Sequence, residues 1–181
     1  MSEDEGRWGA VKTDVISMLN ATKSKAIKLS GASFAIVASK YNARYVDAMV
    51  RAALAELKRA GVTQAQVIRV PGAYEIPLIA TRLARRSLEH SGRAGTAHLS
   101  GIVCLGVILR GETVHAAHIG EAVSRALMEI QLKYEVPVIH EVLLLENEDQ
   151  ARARCLSRTH NRGAEAAQTA LQMARLIERI R

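Results

Sequence analysis

Two rhythms of apolar and polar positions alternate along the chain, and the switches between them mark its elements. A short uninterrupted apolar run at 34–38 predicts a strand. Tyr45, Val46, Met49, Val50, Ala53, Leu54 and Leu57 then recur at helical spacing, and Gly61 predicts the end of that helix. Residues 67–70 read as a second strand stopped by Pro71 and Gly72. A helix follows over about 75–86, with Pro77 tolerated in its first turn. The polar, glycine-containing stretch 87–100 predicts a loop. Residues 102–108 form a third strand, apolar on both faces, followed by a long helix over about 113–134 and a fourth strand at 136–145. Two more helices are expected at about 148–156 and 163–179, and no internal repeat or low-complexity tract interrupts the pattern.

Strands that alternate with helices and are apolar on both faces indicate a parallel sheet covered on both sides. The expected fold is therefore a three-layer α/β sandwich around a four-stranded parallel sheet, in a single domain over 31–181. Residues 1–30 read as an extension with mixed charge and a weakly amphipathic stretch around 15–19. No proline precedes Pro71, so this extension could add a strand to a neighbouring subunit's sheet. Ligands of such sheets bind beyond the carboxyl ends of the strands. That rule narrows the search to loops 39–44, 71–76, 109–115 and 144–147.

Composition then removes several classes. With 49% apolar and 24% charged residues, the chain can build a core, and bulk disorder is excluded. No apolar run approaches the ~18–20 residues of a membrane span. The acidic start lacks the apolar segment of a secretory signal, so a cytoplasmic protein is expected. Cys104 and Cys155 lie far apart without a CxxC motif and read as buried thiols of a reducing compartment. The net charge of +7 invites a nucleic-acid reading. Six dispersed aromatics are too few for a base-stacking platform, so no nucleic-acid partner is expected. The basic excess gathers near the C-terminus, where one or two arginines could hold a small anion.

Each strand-end loop offers specific chemistry. Tyr41 and Asn42 can stack on a flat ring and hydrogen-bond its substituents, or can simply cover the edge of the core. Gly72 and Ala73 let a ligand approach backbone N–H groups, and Glu75 is comfortable near a helix N-terminus in any case. The stretch Arg110, Gly111, Glu112, Thr113, Val114 and His115 joins a buried strand to a helix, so its amides can hold an anion. It is not a GxxxxGK[ST] loop, and GxGxxG is absent, which argues against ATP or a dinucleotide. His115 stands beside this anion site, and an imidazole with pKa near ~6.5 suits proton transfer at neutral pH. His115, His118 and Glu121 share a helical face, but this spacing alone is weak support for a metal.

Taken in order, these loops resemble the lumazine synthase family. The resemblance rests on Ser39-Lys40-Tyr41-Asn42, Val70-Pro71-Gly72-Ala73-Tyr74-Glu75-Ile76-Pro77 and the run from Leu105 to His115. Val136-Pro137-Val138, Asn147-Glu148-Asp149-Gln150-Ala151 and Asn161-Arg162-Gly163-Ala164-Glu165 complete it. It implies a flavodoxin-like topology and a cofactor-free, metal-free condensation. In that reaction 5-amino-6-(ribitylamino)uracil and 3,4-dihydroxy-2-butanone 4-phosphate give 6,7-dimethyl-8-ribityllumazine, with release of phosphate and water. The resemblance assigns Tyr41 to the pyrimidine ring and Asn42 and Glu75 to the ribityl hydroxyls. Backbone around Gly72, Ala73, Tyr74, Val107, Ile108 and Leu109 would frame the heterocycle, and Gly111, Glu112 and Thr113 would cradle the phosphate. His115 matches the family's proton-moving histidine, and Arg154 its phosphate-binding arginine from the adjacent subunit. Arg162 stands at a family lysine near the site.

The chain also departs from the family pattern. Glu112 replaces a small residue, Ala116-Ala117-His118 replace an aromatic, an acid and an aromatic, and His140-Glu141 replace Phe-Gly in the fourth strand. Val107 takes a hydrogen-bonding position. These changes widen or repolarise the pocket, His140 included. They keep a second expectation open, a capsid or flavin-binding homologue with little or no catalysis. An archaeal-type riboflavin synthase shares the architecture but matches the His115 loop less well. The resemblance further implies a homo-oligomer built from pentamers with shared sites, which in some members stack into an icosahedral capsid that can enclose riboflavin synthase. The turn 155–163 lacks the insertion of fungal single-ring members.

Overall fold

A computed structural model describes residues 27–29, 31–89 and 98–180. Most of the expected extension, including the stretch at 15–19, and residues 90–97 of the expected loop lie outside the described residues. Strands β1 (Ser33–Ser39), β2 (Gln64–Val70), β3 (Leu99–Leu109) and β4 (Val138–Leu145) form one sheet in the order β2-β1-β3-β4. Every pairing is parallel, so the sheet and its switch of direction between β1 and β3 match the expected flavodoxin-like sandwich.

The helices divide between the faces. Phe34, Ile36 and Ala38 of β1 point into one core with α1 (Ala43–Arg59) and α5 (Arg162–Ile180). Ala35 and Val37 point into the other, beneath α2 (Ile76–Glu89) and α3 (His115–Tyr134). Period-two alternation sends successive side chains to opposite faces, and helices cover both faces, so all seven β1 residues are buried. Helix α1 presents Tyr45, Val46, Met49, Val50, Ala53 and Leu57 to the first core and ends at Gly61, whose φ of 88° suits glycine. A Cβ on Gly163 would collide with the Met49 carbonyl, so glycine is what lets α5 approach α1 this closely.

Boundaries shift where local hydrogen bonds outweigh the pattern. Helix α2 runs on to Glu89, into the expected loop, and the buried Ser87 hydroxyl accepts the Leu99 N–H at 2.9 Å where β3 begins. Strand β4 starts two residues later than expected, at Val138 after Pro137, which has no N–H to give to a ladder. The helix expected at 148–156 is α4 (Glu148–Ala151) followed by a π-helical turn, Arg152–Leu156. Tyr45 donates to Glu148 Oε2 at 3.0 Å and ties α1 to α4.

At the outer border of β4, side chains take two backbone donors. The Val138 N–H donates to Gln131 Oε1 at 3.0 Å, and the Val142 N–H donates to His140 Nδ1 at 3.2 Å. Among the described residues, no helix is long and apolar enough to cross a membrane. Cys104 and Cys155 are both buried and free.

Candidate active site

The loops after β1, β2 and β3 meet at the carboxyl end of the sheet because the chain reverses direction there. Asn42 makes the first junction. It adopts a left-handed conformation (φ 54°) at the start of α1, and its Nδ2 donates to the Val107 carbonyl at 2.8 Å. Asparagine tolerates this backbone region better than most residues. The Lys40 N–H donates to the Val70 carbonyl at 2.8 Å, drawing the first loop onto the end of β2. Arg69 secures the same corner, donating to the Ser39 carbonyl at 2.8 Å and pairing with Asp47.

The second loop is a single 3-10 turn, Ala73–Glu75, leading into α2. Glu75 Oε2 accepts the Gly72 N–H at 2.8 Å, a one-way bond that fixes the carboxylate against the loop. A Cβ on Gly72 would lie 2.9 Å from that oxygen and 4.0 Å from the Tyr41 ring, so the two loops are in close contact. The third loop leaves β3 at Leu109. Arg110 forks onto Glu146 at 2.9 and 3.0 Å, and its N–H donates to the Leu145 carbonyl at 2.8 Å. Arg110 therefore anchors the loop to the end of β4. Glu112 is exposed.

The three loops and the first turns of α3 enclose a cleft of about 790 Å3, within the range of small-molecule sites. Tyr41 and Asn42 line it from the first loop, and Gly72, Ala73, Tyr74 and Glu75 from the second. Val107, Ile108 and Leu109 form its side along β3, and His115 opens α3 at its mouth. The Tyr41 and Tyr74 rings are 73% and 64% exposed, so they flank an open entrance rather than a closed chamber.

Six other residues proposed from the sequence lie outside this cleft. Gly111, Glu112 and Thr113 are exposed in the loop just before His115, and a Cβ on Gly111 would meet nothing within 4 Å. Arg154 is exposed on the π turn. His140 points beneath α3, with Nε2 2.8 Å from Ser124 Oγ. Because its Nδ1 accepts the Val142 N–H, the ring carries its proton on Nε2 and donates to Ser124. Ser124 in turn donates to the Gly120 carbonyl at 2.7 Å. Burial holds the His140 pKa below the ordinary imidazole value. Arg162 pairs with Glu141 and Glu165.

The cleft also includes His118, which the sequence placed beside His115 without a substrate role, and two residues that the loop-based reading passed over, Ile119 and Ala122. His118, Ile119 and Ala122 line it from α3, on the same helical face as His115. Their spacing of three, four and seven residues from His115 was the available signal. Glu121, the third member of the imagined metal face, pairs with Arg125 at 2.9 Å. Among the described residues, no group of three His, Cys, Asp or Glu side chains is placed to hold a metal ion.

A parallel sandwich whose strand-end loops build a polar, aromatic-flanked cleft with an imidazole at a helix start defines a flavodoxin-like α/β enzyme of small-molecule chemistry. The sequence profile described as 6,7-dimethyl-8-ribityllumazine synthase matches residues 31–178. The 6,7-dimethyl-8-ribityllumazine synthase of Stenotrophomonas maltophilia (strain R551-3) is 40% identical over 151 residues, covering 82% of this chain and 91% of that protein. The protein of the same name from Xanthomonas euvesicatoria pv. vesicatoria (strain 85-10) is 40% identical over 149 residues, covering 81% of this chain and 90% of its own length. This chain belongs to the 6,7-dimethyl-8-ribityllumazine synthase family, transferase-class enzymes of riboflavin biosynthesis.

Proposed function

We propose that the cleft condenses 5-amino-6-(D-ribitylamino)uracil with 3,4-dihydroxy-2-butanone 4-phosphate to 6,7-dimethyl-8-ribityllumazine. The observation that carries this reading is the convergence of three strand-end loops and His115 on one cleft of suitable size. The pyrimidine lies against Tyr41, between the backbone of Ala73 and Tyr74 and that of Val107 and Ile108. The ribityl hydroxyls bind Asn42 and Glu75, whose side chains are fixed by their bonds to Val107 and Gly72. Holding both reactants in this geometry lowers the entropic part of the barrier.

The substrate amine attacks the ketone carbonyl and loses water to give an imine. Phosphate then leaves by elimination, the enol so formed becomes a ketone, and the second amine closes the ring on that ketone with loss of a second water. Each step moves a proton between nitrogen, oxygen or carbon. His115, one of two imidazoles lining the cleft with His118, is the one next to the phosphate loop and carries it. The phosphate sits against the amides of Gly111, Glu112 and Thr113, with Thr113 adding a hydroxyl. Arg154 reaches it from a neighbouring copy, with Arg162 on that same face of the contributing sheet and His140 on the opposite face of β4. The exposure of Arg154 and the open, aromatic-flanked entrance support a site completed by a second subunit.

The assembly proposed is a homo-oligomer of pentamers in the cytoplasm, able to stack into an icosahedral capsid that encloses riboflavin synthase. Residues 1–30 then serve as an extension to the domain of 31–181 that adds a strand to a neighbouring subunit. The extension joins its own domain where Leu29 is buried in the first core and its N–H donates to the Ala60 carbonyl at 2.9 Å. The decisive test mixes the two substrates with assembled protein and follows the lumazine chromophore. Product should form well above the uncatalysed rate. His115→Ala should lower kcat about 100-fold, and Arg154→Ala should raise KM for the butanone phosphate. Product formation at the uncatalysed rate by assembled wild-type protein would overturn the reading.

A further inference from the structure

Two departures from the family pattern, 21 residues apart in sequence, meet in space. Glu141, at the family's glycine, lies buried on β4, and Arg162, at the family's lysine, begins α5. Arg162 Nε donates to Glu141 Oε2 at 3.0 Å, and its Nη2 lies 2.9 Å from Oε1. This is the two-point grip that a guanidinium makes on a carboxylate. Arg162 Nη1 donates to Glu165 Oε2 at 2.7 Å. All three guanidinium nitrogens are therefore engaged.

On the π turn the Arg154 charge pulls on Glu141, and the Cys155 thiol, pushed up to about 11 by burial and by Glu141 itself, stays neutral. Two carboxylates thus face two guanidiniums, and the cluster holds no surplus positive charge for an anion. The Arg162 side chain is 27% exposed against 10% for Glu141, so Arg162 is the member that solvent-borne ions can reach.

We propose that Glu141 is a positioning residue that holds the Arg162 guanidinium out of anion binding, so that its carboxylate sets how tightly this end of the molecule takes a phosphate-sized dianion. The inference rests on the reading that the Arg154 side receives the substrate phosphate. Burial pushes the Glu141 pKa up to about 7, and Glu165 adds to the rise against the pull of Arg162 and Arg154. Below neutrality the carboxyl takes a proton, the grip loses its charge, and Arg162 is held by Glu165 alone.

Sulfate is the probe, because it stays a dianion where phosphate changes charge. It is titrated calorimetrically into assembled full-length protein. At about pH 8, Glu141→Gln should bind sulfate about 5- to 10-fold more tightly than wild type. Near pH 6 the two should converge, and adding Arg162→Ala should abolish the gain. In wild type, affinity should tighten between about pH 8 and 6, and Arg162→Ala alone should remove most of that tightening. Equal affinities at pH 8, a gain that survives Arg162→Ala, or a ratio constant across pH would overturn the proposal. Condensation measured on the same preparations judges the reaction separately, since sulfate binding needs no turnover.

Discussion

Glu141 is a buried acid whose partners do not fully offset the loss of water around it, and its pKa rises from 4.5 to about 7 mainly through burial. Between those values the native state binds more protons than the unfolded chain. The stability this group contributes is therefore complete below about pH 4.5 and is lost as pH rises to about 7. His140 contributes the reverse slope. Its native pKa is depressed, so stability falls as pH drops below the ordinary value of 6.5. The Glu141 contribution is thus read from a difference between two proteins. Glu141→Gln should flatten the urea-unfolding profile between about pH 5 and 8 by up to about 3 kcal/mol relative to wild type. Parallel profiles for the two would contradict the assignment. Neither the Glu141–Arg162 pair nor the Nε2–H tautomer of His140 was legible in the sequence. Each depends on which strand position faces which helix, and Glu165 gave Arg162 an equally plausible local partner three residues away.

At the scale of elements, the close approach of α1 and α5 hinges on Gly163. Its N–H donates to Asn161 Oδ1 at 2.9 Å, while the Asn161 amide donates to the Cys155 carbonyl, so the start of α5 cannot easily shift away. Gly163→Ala should destabilise the fold by about 3 kcal/mol or more, because the new methyl must displace Met49 backbone rather than a flexible side chain. Chemical denaturation reads this directly, and an unchanged midpoint would show that the helices can separate without cost. The partly exposed edge strand β2 was legible only over its last four residues. Strands β1, β3 and β4 were legible because burial leaves a long apolar run, and the major helices because each keeps one apolar stripe. The ends were less so. Ser87 extends α2 by pairing with a residue twelve positions on, and the π turn at Arg152–Leu156 has no composition of its own. The cleft's loops followed from strand order alone, since parallel strands deliver their ends to one side. Of the α3 face behind His115 only His118 was legible, because Ile119 and Ala122 are apolar positions that look like ordinary core stripe.

The whole molecule presents a cleft whose entrance is flanked by Tyr41 and Tyr74, both more than 60% exposed. Apolar groups of this size around a binding site are characteristic of surfaces that a partner covers. Arg154, His140 and Arg162 lie outside the cleft of their own chain, so the proposed site needs a second copy. Native mass measurement should give multiples of five subunits of 19.7 kDa. Specific activity should fall when dilution breaks the assembly and return on concentration. A fully active single subunit would refute the shared site. The border of β4 bears on which assemblies can form. An incoming ribbon needs open backbone hydrogens in sequence along the rim it joins, and here Gln131 and His140 already occupy two of them. The rim is thereby closed to casual zippering, so copies crowded together are steered away from fibrils on that flank and toward contacts of fixed geometry.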